Sequence, residues 1–486
     1  MPVSAPERAE LLALVERERA RLNDYAAKLT AAPLHEAARA DVLIALRGLD
    51  ELLHWAEVTP APLELPARAA FAFKRAVNAR TALLRHTPAL EGIPPALDPT
   101  QQPGGAHLVD YGRGGYFLFA DERFPEGVRF DDHPRLARLA RSISSTLGRG
   151  EGWRSLLFTS GMGAINTVMD YAAARAASEG RRLLLGAHAW IELQEYAHHT
   201  YPGRFAPIDE ADTSALVAAL GDSTVSALVL EPLVNHPRAP VVDLPTLLRA
   251  PVVGEKLLVL DLALTPELDV DTLLGSAPPR GLTVALVTSG VKFFQAGWDV
   301  SKSGLLELRF DADAFPFAHD PYRELILLRG RSGRVPSMEE AELADLETHA
   351  TLRSRLARLD ENTRTLALSL DAALQARRLG SVSSPWLPSH PQHALARALG
   401  TGGRFVYLDF NPARLPPARL TGLDRELARL ATQRGVPLMV ATTFGLALPH
   451  VCLLAHPTEG FRLRLSPGSG SADVVPALVE LVAALA

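Results

Sequence analysis

Four side-chain settings in this chain combine residue types that suit small-molecule chemistry, and each stands where an apolar run stops. The first is Lys292, which follows the run TVALVTSGV. The chain has five lysines (Lys28, Lys74, Lys256, Lys292 and Lys302), and arginine supplies the rest of its 50 basic residues. A lysine at the edge of a low-dielectric site can shed its proton and attack a carbonyl as an amine. A lysine that merely snorkels from a strand end leaves the same trace, but the scarcity of lysine favours the reactive role. Lys302 reads as structural or substrate-side. The second setting is Asp261, at the end of LLVLD. A carboxylate buried without a partner is costly, so it calls for a cation unless it caps a turn.

The third is TSGMGAIN, residues 159–166. Here an apolar run gives way to a turn and then to a helical pattern. Free N–H groups and the positive end of a helix dipole would hold a phosphate over Ser160, Gly161 and Met162. A plain strand-to-helix turn reads the same way. The motif is not a dinucleotide fingerprint, because Asn166 stands where the third glycine belongs. The fourth is Arg464 in FRLRLSPG, suited to bidentate capture of a carboxylate. Arg462 shares its strand face, so the spacing leaves the choice open.

Elements that position these residues follow from the pattern. Residues 183–187, 227–232, 256–264 and 283–292 are short, nearly all-apolar runs separated by longer segments, as strands buried on both faces of a mostly parallel sheet read. Ligands of such sheets bind at the carboxyl ends of the strands. The first 90 residues space their apolar positions at three and four and are helical. After Gly333 come a long helical stretch and then the strand-like runs GRFVYLDF, PLMVATTF, VCLLAH and FRLRLS. The expected organisation is a helical N-terminal extension and linker (1–105), a large α/β domain (106–333) and a smaller α+β domain (334–486).

The totals exclude several classes. The chain has 486 residues, is 47% hydrophobic and 22% charged, and carries a net charge of −5 with both signs mixed, which describes a globular protein without a nucleic-acid-binding stripe. No apolar run approaches the ~20 residues of a membrane span, and the N-terminal stretch is not patterned as a signal peptide. The lone Cys452 excludes an internal disulfide and a thiolate cluster and reads as a buried structural thiol. A reducing, cytoplasmic setting is expected. His188, His198 and His199 lack the spacing of a helical metal motif.

In chain order, then, the sequence offers a phosphate cup, a buried acid, an amine for a Schiff base and a carboxylate clamp. Pyridoxal 5′-phosphate (PLP) needs this set when it handles an amino acid: the acid keeps the pyridine nitrogen protonated and the lysine holds the aldehyde. From about residue 108 to 486 the chain resembles the fold-type I PLP-dependent enzymes. Within them it is most similar to the Cys/Met-metabolism family of cystathionine synthases and lyases and methionine lyase. TSGMGAI resembles that family's S-S-G-M-x-A-I, and EPLVNHP its E-x-P-x-N-P, with Glu231, Pro232, Asn235 and Pro237 in place. DLALTP begins at Asp261, SGVKFFQAGWD keeps Ser289 and Lys292 in register with Asp299 close to the family's Asp, and RLSPG ends the set with Arg464.

The resemblance implies a fold-type I transferase fold, PLP as cofactor and an amino acid substrate. It also implies elimination or replacement at Cβ or Cγ through a lysine Schiff base. DYGRGG offers Tyr111 and Arg113 for a Y-x-R motif that the family donates to the phosphate of the neighbouring subunit, so a homodimer or homotetramer is implied. The family's ring-stacking Tyr is replaced by Trp190, which can stack but cannot act as an acid or base. His188, Glu192 and Tyr196 are the candidates to stand in. ATTFG and FRLRLS also resemble class I/II aminotransferases, although Leu264 holds the place of their expected Tyr. A PLP-fold protein that serves only as a binding module is the remaining reading, and the presence of both Asp261 and Lys292 argues against it.

Overall fold

The structure is a computed structural model that describes residues 3–29, 36–59, 62–86, 134–275, 278–298, 300–311, 320–443, 445, 447–456 and 460–485. Its larger sheet contains β1 (Arg154–Phe158), β2 (Arg182–Gly186), β3 (Phe205–Ile208), β4 (Val225–Leu230), β5 (Lys256–Asp261), β6 (Leu282–Ser289) and β7 (Gly304–Arg309). The spatial order is β1-β7-β6-β5-β4-β2-β3. Only β7 runs antiparallel to its neighbours.

Period-2 geometry divides the strand residues between two cores. Leu185, Val229, Val259 and Val287 pack on one face with Ile165, Val168 and Met169 of the helix Gly161–Glu179. Leu184, Leu228, Leu258 and Leu286 pack on the other with Leu216, Leu220, Leu244 and Leu247. This two-sided burial is why β4, β5 and β6 read as continuous apolar runs.

A second sheet contains β8 (Gly380–Ser383), β9 (Val406–Phe410), β10 (Met439–Val440), β11 (His450–His456) and β12 (Gly460–Ser466), ordered β10-β11-β12-β9-β8. It packs on Leu366, Leu370 and Leu374 of the helix His349–Ala376 and on the helix Val474–Ala483. Near the N-terminus the helices Ala5–Leu29, Glu36–Val58 and Leu65–His86 share a core around Leu11, Leu49, Phe73 and Val77. That core also takes in Ala296, Trp298, Val300 and Ala447 from far along the chain. No described helix is long and apolar enough to cross a membrane.

Several expectations change in detail. The run 283–292 is not all strand: β6 stops at Ser289 and Lys292 lies in the short helix Gly290–Phe293. The long helical stretch after Gly333 is two helices, Met338–Ala344 and His349–Ala376, the second opened by a capping box at Thr348. The break frees Asp345 and the Leu346 carbonyl to accept from Arg17 and Arg21 of the first helix. PLMVATTF contributes only Met439–Val440 as strand, because the Thr442 and Thr443 carbonyls turn to accept from Arg464. Strand β7 escapes the apolar pattern because Glu307 sits in its middle, fully buried and satisfied by Arg149 (3.1 Å) and by Ser144.

Candidate active site

The carboxyl ends of β1, β4, β5 and β6, with the turn after β2, converge on one cleft of about 620 Å³. Its lining includes Ser160, Gly161, Met162, Trp190, Asn235, Asp261, Ser289 and Lys292, so eight residues singled out from the sequence meet there. Thr442 and Thr443, from the loop after β10, close it from the second sheet, and Lys302 also lines it. Tyr111 and Arg113 lie outside the described residues.

The turn after β1 is built for close approach. Ser160 is extended (φ −164°, ψ 164°) and its Oγ accepts the Gly163 N–H (2.9 Å), capping the helix Gly161–Glu179. A Cβ on Gly161 would stand 2.8 Å from the Cβ of Ser289, and one on Gly304 would run into the Ser160 carbonyl. The absence of both side chains lets β1, β6 and β7 bring Ser160 and Ser289 together beneath a helix N-terminus, where an anionic group is favoured.

The floor is acidic. Asp261 lies opposite Val287 in the β5–β6 register, and the helix that carries Lys292 begins three residues beyond Val287, at Gly290. Its Oδ1 accepts the Ala263 N–H (2.8 Å). Burial pushes its carboxyl up to about 6, held back by that bond and by the charge of Lys292. Glu231, which the sequence reading noted only as a motif match, is fully enclosed beside it. Its two oxygens accept the backbone N–H groups of Trp190 (2.6 Å) and Asn235 (2.9 Å). Burial and then the Asp261 charge push it up to about 8. Glu231 thus ties the turn that carries Trp190 to the turn that carries Asn235.

Lys292 reaches the opposite wall, where its Nζ donates to Thr443 Oγ1 (3.4 Å). Arg464 is buried and is not among the residues lining the cleft. Its guanidinium donates to Asn235 Oδ1 (3.3 Å) and to the Thr442 and Thr443 carbonyls, and it lies over the Phe405 ring at 5.0 Å. The structure separates it from Arg462, which pairs with Asp409 (3.6 Å). Asn235 Oδ1 also accepts the Tyr407 hydroxyl (2.7 Å). These two donors fix the orientation of the amide, leaving its NH2 as the donor available to the cleft. Burial pushes the Cys452 thiol up, consistent with a structural rather than nucleophilic role.

Of the three candidates to replace the family's tyrosine as a proton donor, only Glu192 lines the cleft. The Tyr196 hydroxyl donates to Asp170 (2.5 Å), and the His188 ring stacks on His236 at 4.4 Å. His198 and His199 face each other at the end of the helix Ile191–Thr200.

A mostly parallel seven-stranded sheet, a smaller antiparallel-rich sheet and a cleft at the parallel strand ends define the architecture of fold-type I enzymes. Comparison with solved structures gives the same fold. The metB protein of Corynebacterium glutamicum superposes with a TM-score of 0.56 at 19% identity, over 73% of this chain and 86% of that one. The methionine gamma lyase CalE6 of Micromonospora echinospora gives 0.55 at 20%, over 74% and 88%. The cystathionine gamma synthase of Xanthomonas oryzae pv. oryzae, solved in complex with cystathionine, gives 0.54 at 21%, over 74% and 87%. The sequence matches no family model and no curated protein.

Proposed function

We propose that this protein is a PLP-dependent enzyme that acts on an amino acid by elimination or replacement at Cβ or Cγ. One observation carries the reading: Asp261, at the end of β5, and Lys292, in the short helix after the adjacent β6, line a single cleft with the Ser160 helix N-terminus. The residues fit the cofactor. A buried carboxylate that accepts the Ala263 N–H and lines the cleft suits a pyridinium N–H, and the glycine-lined turn suits a phosphate. PLP, when bound, supplies a ring that accepts the electron pair left at substrate Cα.

The protein's own groups do the rest. Ser160, Ser289 and the backbone N–H groups of Gly161 and Met162 would hold the phosphate, and the Trp190 ring would cover one face of the cofactor. Lys292 would hold the cofactor covalently at rest. With substrate in place, its Nζ would take the proton from Cα and return it further along the chain, with Thr443 orienting it. The Asn235 amide, braced by Arg464, would take the substrate carboxylate, so Arg464 would act through Asn235. Glu192, which lines the cleft, would protonate a leaving group. The Lys292–Asp261 pair favours catalysis over a purely binding role. Tyr111 and Arg113, acting across an interface, would make the enzyme at least a dimer, and light scattering checks this.

The test is a screen of single amino acids for release of thiol, ammonia and 2-oxo acid by the PLP-loaded protein. Release without an added 2-oxo acid is expected. Turnover that requires such an acceptor would assign transamination instead, and a colourless protein that takes up no PLP would end the reading.

A further inference from the structure

The segment after Lys292 is held in an unfavourable shape. Gln295 (φ 59°) and Ala296 (φ 57°) are consecutive non-glycine residues in the left-handed region, a conformation that persists only where surroundings over-determine it. The surroundings here are identifiable. The Gln295 side chain, fully buried, closes the loop on itself: its Nε2 donates to the Ser301 carbonyl (2.8 Å) and its Oε1 accepts the Ser301 N–H (2.7 Å). Arg355 donates to the Phe293 carbonyl. Trp298 stacks on Phe73 of the helix Leu65–His86 with ring centroids 5.9 Å apart, and Ala296 and Val300 join the same core.

The loop also reaches the other wall of the cleft. The Gly297 carbonyl accepts the Ala447 N–H (3.2 Å), and Ala447 lies in the N-terminal core as well. Gly445 (φ 80°) passes so close that a Cβ there would run into the Lys292 carbonyl and the Phe293 ring. One strained loop therefore fixes both Lys292 and the segment that carries Thr443 and faces Arg464.

We propose that residues 294–298, with Val300 and Ser301, form a positioning device for Lys292 and Thr443, and that the N-terminal helices hold it in shape through the Phe73–Trp298 contact. Phe73 and Trp298 are then positioning residues although neither lines the cleft. The inference rests on the PLP reading above. The experiment compares Phe73→Leu, Trp298→Ala, Trp298→Phe and the double variant Trp298→Ala/Ala296→Gly with the unaltered chain. Three quantities are read: PLP affinity from titration of the visible band, the fraction of cofactor trapped on the protein by borohydride, and the melting temperature.

Phe73→Leu and Trp298→Ala should weaken PLP binding about tenfold or more, the scale of one released strained residue, and lower the trapped fraction. Trp298→Phe should retain most of both. Ala296→Gly should restore about fivefold in the Trp298→Ala background, because glycine adopts the left-handed conformation without a Cβ clash. Variants that melt earlier but bind and trap PLP like the unaltered chain would overturn the proposal, as would a double variant with no recovery. If Trp298→Ala does not fold, Phe73→Leu decides by the same readouts. Absence of PLP uptake by the unaltered chain would remove the cofactor reading itself, a result distinct from unchanged binding in the variants.

Discussion

The loops that follow β1 and β6 meet at Ser289, yet they reach their shapes by opposite means. After β1, Ser160 caps its own helix and Gly161 supplies the missing side chain where Ser289 presses in. The cap is local to the motif, and the room for close approach comes from glycines. After β6, Gln295 and Ala296 adopt left-handed backbone without a glycine, at a cost of about 1–3 kcal/mol each. Packing on Phe73 and against Gly445 and Ala447 compensates. The proposed phosphate cup is built around a short motif, whereas the proposed Schiff-base lysine is held by elements distant in the chain, at Phe73 and Gly445.

The largest test of the contrast lies in the residue between the loops. Lys292→Ala should abolish borohydride trapping of PLP and lower any turnover found in the amino acid screen by about 10³-fold or more. Lys302→Ala should keep the visible band; the reverse result would mean that the wrong lysine has been assigned. Next in size is Gly161→Ala. Its Cβ would press on Ser289, so overpacking should cost about 1–3 kcal/mol, measurable by denaturant unfolding, and PLP affinity should fall with it. Equal stability would show that the β1 turn is as adaptable as the other loop is constrained.

The acidic floor between the loops gives a pH test. Burial pushes Glu231 and Asp261 of this floor up to about 8 and about 6, and pushes Glu210, which accepts the His188 N–H after β2, up to about 7, above the ordinary carboxylate value of about 4. The folded state therefore binds these protons more tightly than the unfolded state. The contribution is favourable below about pH 4 and is lost as the pH rises to about 8. The cofactor-free chain should melt progressively earlier across that window, and Glu231→Gln should flatten the slope. The smallest effect is expected from Ala296→Gly in the otherwise unaltered chain. It should raise stability by up to about 1 kcal/mol, against the usual penalty of that exchange, and a destabilised variant would show that the backbone there is not strained.

What could be read from the sequence follows the same division. Ser160, Asp261, Ser289 and Lys292 each end an apolar run that period-2 burial on both faces makes visible. Glu231 was visible as a motif match, but its role in tying Trp190 to Asn235 depends on backbone donors that no pattern reports. Strand β7 was hidden because Arg149 and Ser144 satisfy Glu307 from elsewhere in the chain. The left-handed pair at 295–296 left no trace, since neither residue is one that favours that region. The helix break near Asp345 carried a faint cue in Thr348, but its cause lies in arginines of the first helix.

The shared core of the N-terminal helices and the lysine loop also has a consequence for synthesis. Helices ending at His86 leave the ribosome well before Trp298 and Val300, which join their core. At about 5–20 residues per second, the roughly 200 intervening residues take about 10–40 s. For that interval the first helices have no finished partner surface, so a nascent chain stalled before residue 298 would display an open hydrophobic face to chaperones and proteases.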